Sequence, residues 1–145
     1  MTARCVDRRV VEAALPAMGG KSDVSNVLER ITTHGESQLT IASARAEDTI
    51  GIFAPSPDPN VLKMAVGVRP NGLAYDAKRG LILVANVGDP AILGSCTLSV
   101  VALDKQNMVS EIPVAGRTRW ALYDSDAEVF YVNICDPPMR ESWSR

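Results

Sequence analysis

The sequence has one histidine, His34, and three cysteines, Cys5, Cys96 and Cys135, in 145 residues. A metal site of two or three histidines from one chain is therefore excluded. The cysteines lie far apart and no C-x-x-C pair occurs. That argues against a cysteine zinc site, and the thiols read as reduced and structural. A redox protein holding a quinone or haem fits poorly, because C-x-x-C-H is also missing. No serine lies in a G-x-S-x-G elbow, and neither a P-loop nor G-x-G-x-x-G occurs. No apolar run approaches the roughly 18 residues of a membrane span. Met1–Gly20 lacks the apolar core of a secretory signal, so the chain as written reads as cytoplasmic. Net charge is −2, with both signs interspersed. A broad nucleic-acid surface needs clustered Lys and Arg, so no nucleic-acid partner is expected.

What the sequence does have is an internal repeat, the feature to seek before single elements. Val66-Gly-Val-Arg-Pro-Asn-Gly-Leu-Ala-Tyr-Asp76 matches Val114-Ala-Gly-Arg-Thr-Arg-Trp-Ala-Leu-Tyr-Asp124, with Arg69 and Arg117 48 residues apart. Leu81–Pro90 matches Val129–Pro137 if Asn86 corresponds to Asn133, a step of 47 that implies a second turn one residue shorter. A third copy lies upstream. There Gln38–Ala44 resembles Leu81–Val87, Asp48–Ala54 resembles Cys96–Ala102, and Val61–Gly67 resembles Val109–Ala115.

The best copy contains four strand-like runs, Gly72–Asp76, Leu81–Asn86, Thr97–Ala102 and Met108–Val114. Ala77-Lys-Arg-Gly80 and Asp104-Lys-Gln-Asn107 carry turn chemistry. Pro113 falls inside a run and predicts an outer-edge strand, where a missing donor costs little. Four strands in about 48 residues is the arithmetic of a propeller blade, and the runs lack a helical period. The expected fold is all-β: a partial β-propeller of four-stranded antiparallel blades. Its divisions are residues 1–20, the last strand of a lost blade or a short helix; 21–67, a weak blade; 68–116, the best blade; 117–137, half a blade; and 138–145, a tail. The pattern stops after two strands of the last copy, so the chain reads as a fragment of a longer propeller protein. Exposed blade edges would favour self-association.

At these residues the chain resembles the YVTN family of β-propellers. Tyr131-Val-Asn133 is close to the family's namesake string, and Leu83-Val-Ala-Asn86 is its counterpart. Val66-Gly-Val-Arg-Pro70 resembles the family's usual turn into a new blade. Thr118 and Arg119 depart from the family, standing where Pro and a small residue are usual. The resemblance covers about residues 38–137. It implies a scaffold and not a particular activity.

Up-and-down strand order sends the connection between blades and the loop after a blade's second strand to one face. Arg69, Asn71, Asn86 and Asp89 are therefore expected to gather with Arg117, Arg119, Asn133 and Asp136. Polar groups at a channel mouth are the default ligand site, although Asx residues before Gly or Pro are also ordinary turn-makers. Arg69-Pro-Asn-Gly-Leu-Ala74 also resembles a segment of gluconolactonase-like calcium propellers. That resemblance implies Asn71 as a ligand to Ca2+ or another divalent cation. Such lactonases also use a Glu and an Asp that have no placed counterpart here. The leading expectation is a non-enzymatic scaffold or binding module without a cofactor; the alternative is a metal-dependent lactone hydrolase. Tyr75, Trp120 and Tyr123 are expected to pack between blades.

Overall fold

Short aliphatic runs bounded by polar four-residue turns favour narrow antiparallel strands, because each run spans a strand but not a helix. The computed structural model describes residues 39–54, 56 and 60–135. The described residues form three antiparallel sheets and no helix. Sheet 1 contains β1 (Thr40–Ala44), β2 (Thr49–Phe53) and β3 (Leu62–Ala65). Sheet 2 contains β4 (Pro70–Asp76), β5 (Leu81–Asn86), β6 (Thr97–Ala102) and β7 (Asn107–Pro113). Sheet 3 contains β8 (Arg117–Asp124) and β9 (Val129–Cys135). In every sheet, strands adjacent in sequence are adjacent in space. Expectations for residues 1–20, His34, Asp136 and the 138–145 tail lie outside the described residues.

The sheets stack face to face. Ile41, Ile50, Ile52 and Met64 of sheet 1 share a core with Leu73, Tyr75, Ile82, Val84 and Val101 of sheet 2. The opposite face of sheet 2 presents Ala74 and Leu83 to Tyr123, with Ala121, Phe130 and Val132 of sheet 3 packed around them. Tyr123 and Phe130 meet with ring centroids 4.8 Å apart. β4 and β5 of sheet 2 are thus covered on both sides. This is why β5 reads Leu-Ile-Leu-Val-Ala without polar alternation. Fully burying one such aliphatic side chain is worth about 1.5–3 kcal/mol. At the edge of sheet 2, β7 is exposed along its whole length and contains Pro113, as its missing N–H requires.

Register corrects two sequence alignments. Asp76 pairs with Leu81 and Pro70 with Asn86, while Asp124 pairs with Val129 and Thr118 with Ile134. Ile134, not Asn133, therefore holds the register place of Asn86. The turns 77–80 and 125–128 have equal lengths, so the shorter second turn does not exist. Likewise Ala44 pairs with Thr49 as Asn86 pairs with Thr97, so Ala44 and not Ser43 matches Asn86. A slip of one residue exchanges the faces of a strand. Asn86 is buried, whereas Asn133 and also Ile134 are exposed, because β9 has no described strand beyond it. Tyr75 and Tyr123 do lie between sheets, but Trp120 lies on the outer face of sheet 3 and is 63% exposed.

Both β4 and β8 bulge near their starts. One shift in pairing lies between Pro70 and Gly72, the other between Thr118 and Ala121. At the bulges the two strands approach very closely. A Cβ on Gly72 would stand 2.5 Å from the Arg119 carbonyl oxygen. Asn71 Nδ2 donates to that same oxygen at 2.9 Å.

Each four-residue turn closes on a left-handed residue: Asp48, Gly80, Gln106 and Glu128, with φ of 54°, 64°, 52° and 56°. Gly80 has no heavy atom within 4 Å of a built Cβ, so substitution there tests backbone strain alone.

Two substitutions probe these points. Gly80→Ala should cost about 1 kcal/mol in denaturant unfolding, the ordinary penalty for a left-handed L-residue. Gly72→Ala should cost more, about 2 kcal/mol, because β8 backbone must move away. Equal effects would contradict the close approach of the sheets.

Candidate functional site

An antiparallel meander sends alternate connections to opposite edges of its sheets. Turn 45–48, segment 66–69, loop 87–96 and segment 114–116 consequently share one edge, termed here the lead-in edge. Hydrogen bonds tie them together. Val66 N–H donates to Asp48 O at 2.9 Å and Val87 N–H to Arg69 O at 3.0 Å. Gly88 N–H donates to Val68 O and Val114 N–H to Cys96 O, both at 3.0 Å. Arg69 N–H donates to Asp48 Oδ1 at 2.8 Å, and Arg69 adopts a φ of 56°.

Arg69, Asn71 and Arg119 are brought to this edge from two sheets, and Arg45 joins them from a third. Ser43 Oγ donates to Asn71 O at 3.3 Å, and Asn71 Nδ2 donates to Arg119 O. One line of contacts thus crosses β1, β4 and β8. Burial, and then the positive charges of Arg69 and Arg119, lower the pKa of the Arg45 guanidinium. Among the described residues, no carboxylate forms an ion pair with Arg45, Arg69 or Arg119. Sequence reasoning missed Arg45. Its turn is six residues shorter than loop 87–96, which hid the correspondence, although Arg45 directly follows Ala44, the register counterpart of Asn86.

The other candidates have different surroundings. Asn86 is fully buried and donates from Nδ2 to Thr97 Oγ1 at 3.0 Å and Ser99 Oγ at 2.8 Å. Ser99 Oγ in turn accepts from Gly67 N–H at 3.0 Å, and Thr97 Oγ1 donates to Glu111 Oε1 at 2.9 Å. This network fastens the lead-in segment to β5 and β6. Asp89 organises its own loop: its Oδ1 accepts from Ala91 N–H, and its own N–H donates to Ser95 Oγ. Arg117 and Asn133 are exposed, and Asn133 Oδ1 accepts from Cys135 Sγ at 3.1 Å. Asp136 lies outside the described residues. Asn71 Nδ2 is engaged by the Arg119 carbonyl, and its Oδ1 is the atom a divalent cation would take. Among the described residues no group of three His, Cys, Asp or Glu side chains converges as metal ligands would.

The opposite edge balances its charges. Asp76 accepts at Oδ1 from Lys78 and Arg79 N–H at 3.0 and 3.2 Å, and at Oδ2 from Arg79 Nη1 at 2.7 Å. Arg79 Nη2 also donates to Glu128 Oε2 at 2.7 Å, and Lys78 Nζ bonds to Glu128 Oε1. Burial alone would raise the Asp76 pKa. The bonds from Arg79, Tyr123 and Lys78 outweigh it and hold the carboxyl below its ordinary value. Asp124 makes the same local turn, accepting from Asp126 and Ala127 N–H.

No protein-family model matches the chain, and no curated protein matches it. Among solved structures it is similar to hydrazine synthase of Kuenenia stuttgartiensis, a β-propeller-containing protein, with a TM-score of 0.63 and 19% identity. The match covers 79% of this chain and 31% of that one, so the chain spans less than a third of its neighbour. Likeness at this identity shows the fold alone: stacked antiparallel sheets of a β-propeller-like kind.

The depressed Asp76 pKa predicts a pH dependence. Its contribution is complete above the unfolded carboxyl pKa of about 3.9 and is lost as pH falls through the lower folded value. Asp76→Asn should lose about 2 kcal/mol at pH 7, as expected for charge-assisted bonds at a buried carboxylate. The gap to the unsubstituted protein should narrow below about pH 4. Parallel urea titrations across that range check this; a gap constant down to pH 2 would refute it.

Proposed function

We propose that this chain is a run of β-propeller blades of the YVTN type, repeating about every 48 residues, that serves as a binding or scaffold module and not as an enzyme. In this reading β1–β3 are three strands of one blade, β4–β7 a complete blade and β8–β9 the first two strands of the next.

The observation that carries the reading is the equivalence of faces. Tyr75, Ile82 and Val84 turn toward sheet 1, just as Tyr123, Phe130 and Val132 turn toward sheet 2. Ala74 and Leu83 turn toward sheet 3, and their counterparts Leu122 and Tyr131 are exposed on its outer face with Trp120. Each sheet thus offers one face backward and one forward, which supports a repeating unit. Among the described residues, polar groups collect at the lead-in edge without a nucleophile and base in hydrogen-bond reach, which favours binding over catalysis. Hydrazine synthase lends its fold to the comparison, and its named activity is not carried to this chain.

A transplant tests the repeat. Replacing residues 117–135 by residues 69–87 should preserve the β-type circular dichroism spectrum and a cooperative melt. Inserting the same residues with Ala74 and Tyr75 exchanged instead puts the ring on the outer face and should abolish the cooperative melt. Identical behaviour of the two chimeras would sink the repeat. Millimolar calcium should leave the melting temperature unchanged; a rise lost in Asn71→Ala would favour the metal-dependent lactone hydrolase.

A further inference from the structure

The two edges of the sheets treat positive charge differently. At the turn edge, Lys78 and Arg79 are matched by Asp76 and Glu128. At the lead-in edge, Arg45, Arg69 and Arg119 come from three successive sheets and are held near one another by the backbone. Arg69 is fixed by Asp48 Oδ1 of the turn that Arg45 opens. Arg119 is fixed by Asn71, two residues beyond Arg69. Asp48 is the acid nearest this arrangement by bonding, and its Oδ1 is occupied by a backbone N–H. Among the described residues it forms no ion pair with the three guanidinium groups.

We propose that Arg45, Arg69 and Arg119 form a binding site for the phosphate group of a small molecule. Three guanidinium groups call for more than one negative charge. A phosphate dianion supplies that charge and enough oxygens for each planar fork to be met. Burial first, and then the positive charges of Arg69 and Arg119, lower the Arg45 pKa, and a bound anion would offset both. Backbone groups of Arg69 and Arg119 make the structural bonds, so the three side chains are available to a ligand. Because the segments come from different sheets, the site exists only in the stacked fold. The inference rests on reading the lead-in edge as a binding surface, but it does not depend on the repeat; a failed transplant would leave it standing.

Inorganic phosphate is the probe. Isothermal titration and thermal melting are run in phosphate and in chloride at matched ionic strength. Phosphate should bind saturably and raise the melting temperature by a few degrees, beyond the effect of chloride. Arg45→Gln and Arg119→Gln should each weaken phosphate binding about tenfold or more, the effect of losing a charge-assisted bond. In chloride both variants should melt at or above the unsubstituted protein, because repulsion falls and no backbone bond is touched. Lys105→Gln, in the turn 103–106 at the other edge, should bind phosphate unchanged. Citrate is titrated alongside to separate phosphate from carboxylate. Equal effects of phosphate and chloride, retention of binding in the double variant, variants that melt well below the unsubstituted protein, or tighter binding of citrate would each overturn the assignment.

Discussion

The close approach of β4 and β8 at their bulges governs how the sheets sit on one another. Gly72 lacks the Cβ that would strike the Arg119 carbonyl. The neighbouring Asn71 amide donates to that carbonyl, so a donor fills the gap that a side chain would have blocked. Once these two backbones are fixed, the faces meet in a set register. Tyr123 comes to rest over Ala74 and Leu83, and its ring against Phe130. A larger residue at position 72 would separate the sheets along their length, since each packs as a rigid pleated surface.

The same contact accounts for what gathers at the lead-in edge. A bulge places an extra residue in one strand and re-aims its neighbours. Here the Arg119 carbonyl meets Asn71, two residues beyond Arg69, while β1 and its following turn bring Arg45 to the same edge. At the other edge turns 77–80 and 125–128 each follow a carboxylate, Asp76 or Asp124, bonded to the backbone two and three residues on. There Arg79 and Lys78 reach across from sheet 2 to Glu128 of sheet 3. One edge fastens the sheets with neutralised charge, and the other leaves positive charge open to solvent and ligand.

The strands were legible in the sequence because their signals are local. Thr97–Ala102 and Leu81–Asn86 match the expected runs, and Pro113 marks the edge strand. Pairing of equivalent asparagines misled, because residue identity is a poor guide to register. Asn86 sits in the polar network with Thr97 and Ser99, whereas Asn133 lies one place off, on the opposite face. Trp120 misled because it shares the outer face of sheet 3 with Leu122, which no described sheet covers. Asn71 was marked as a candidate by its neighbours in sequence, but its bonded partner, Arg119, lies 48 residues away.

The all-β class, the placement of strands and turns, and the resemblance between successive units could be read from the residues alone. These depend on side-chain periodicity and turn chemistry within a few residues. Which asparagine is buried, which aromatic ring lies between sheets and which arginines share an edge emerged from the packing of the sheets. Those outcomes depend on register and on bulges, and one residue of offset in either exchanges the inside of a strand for its outside.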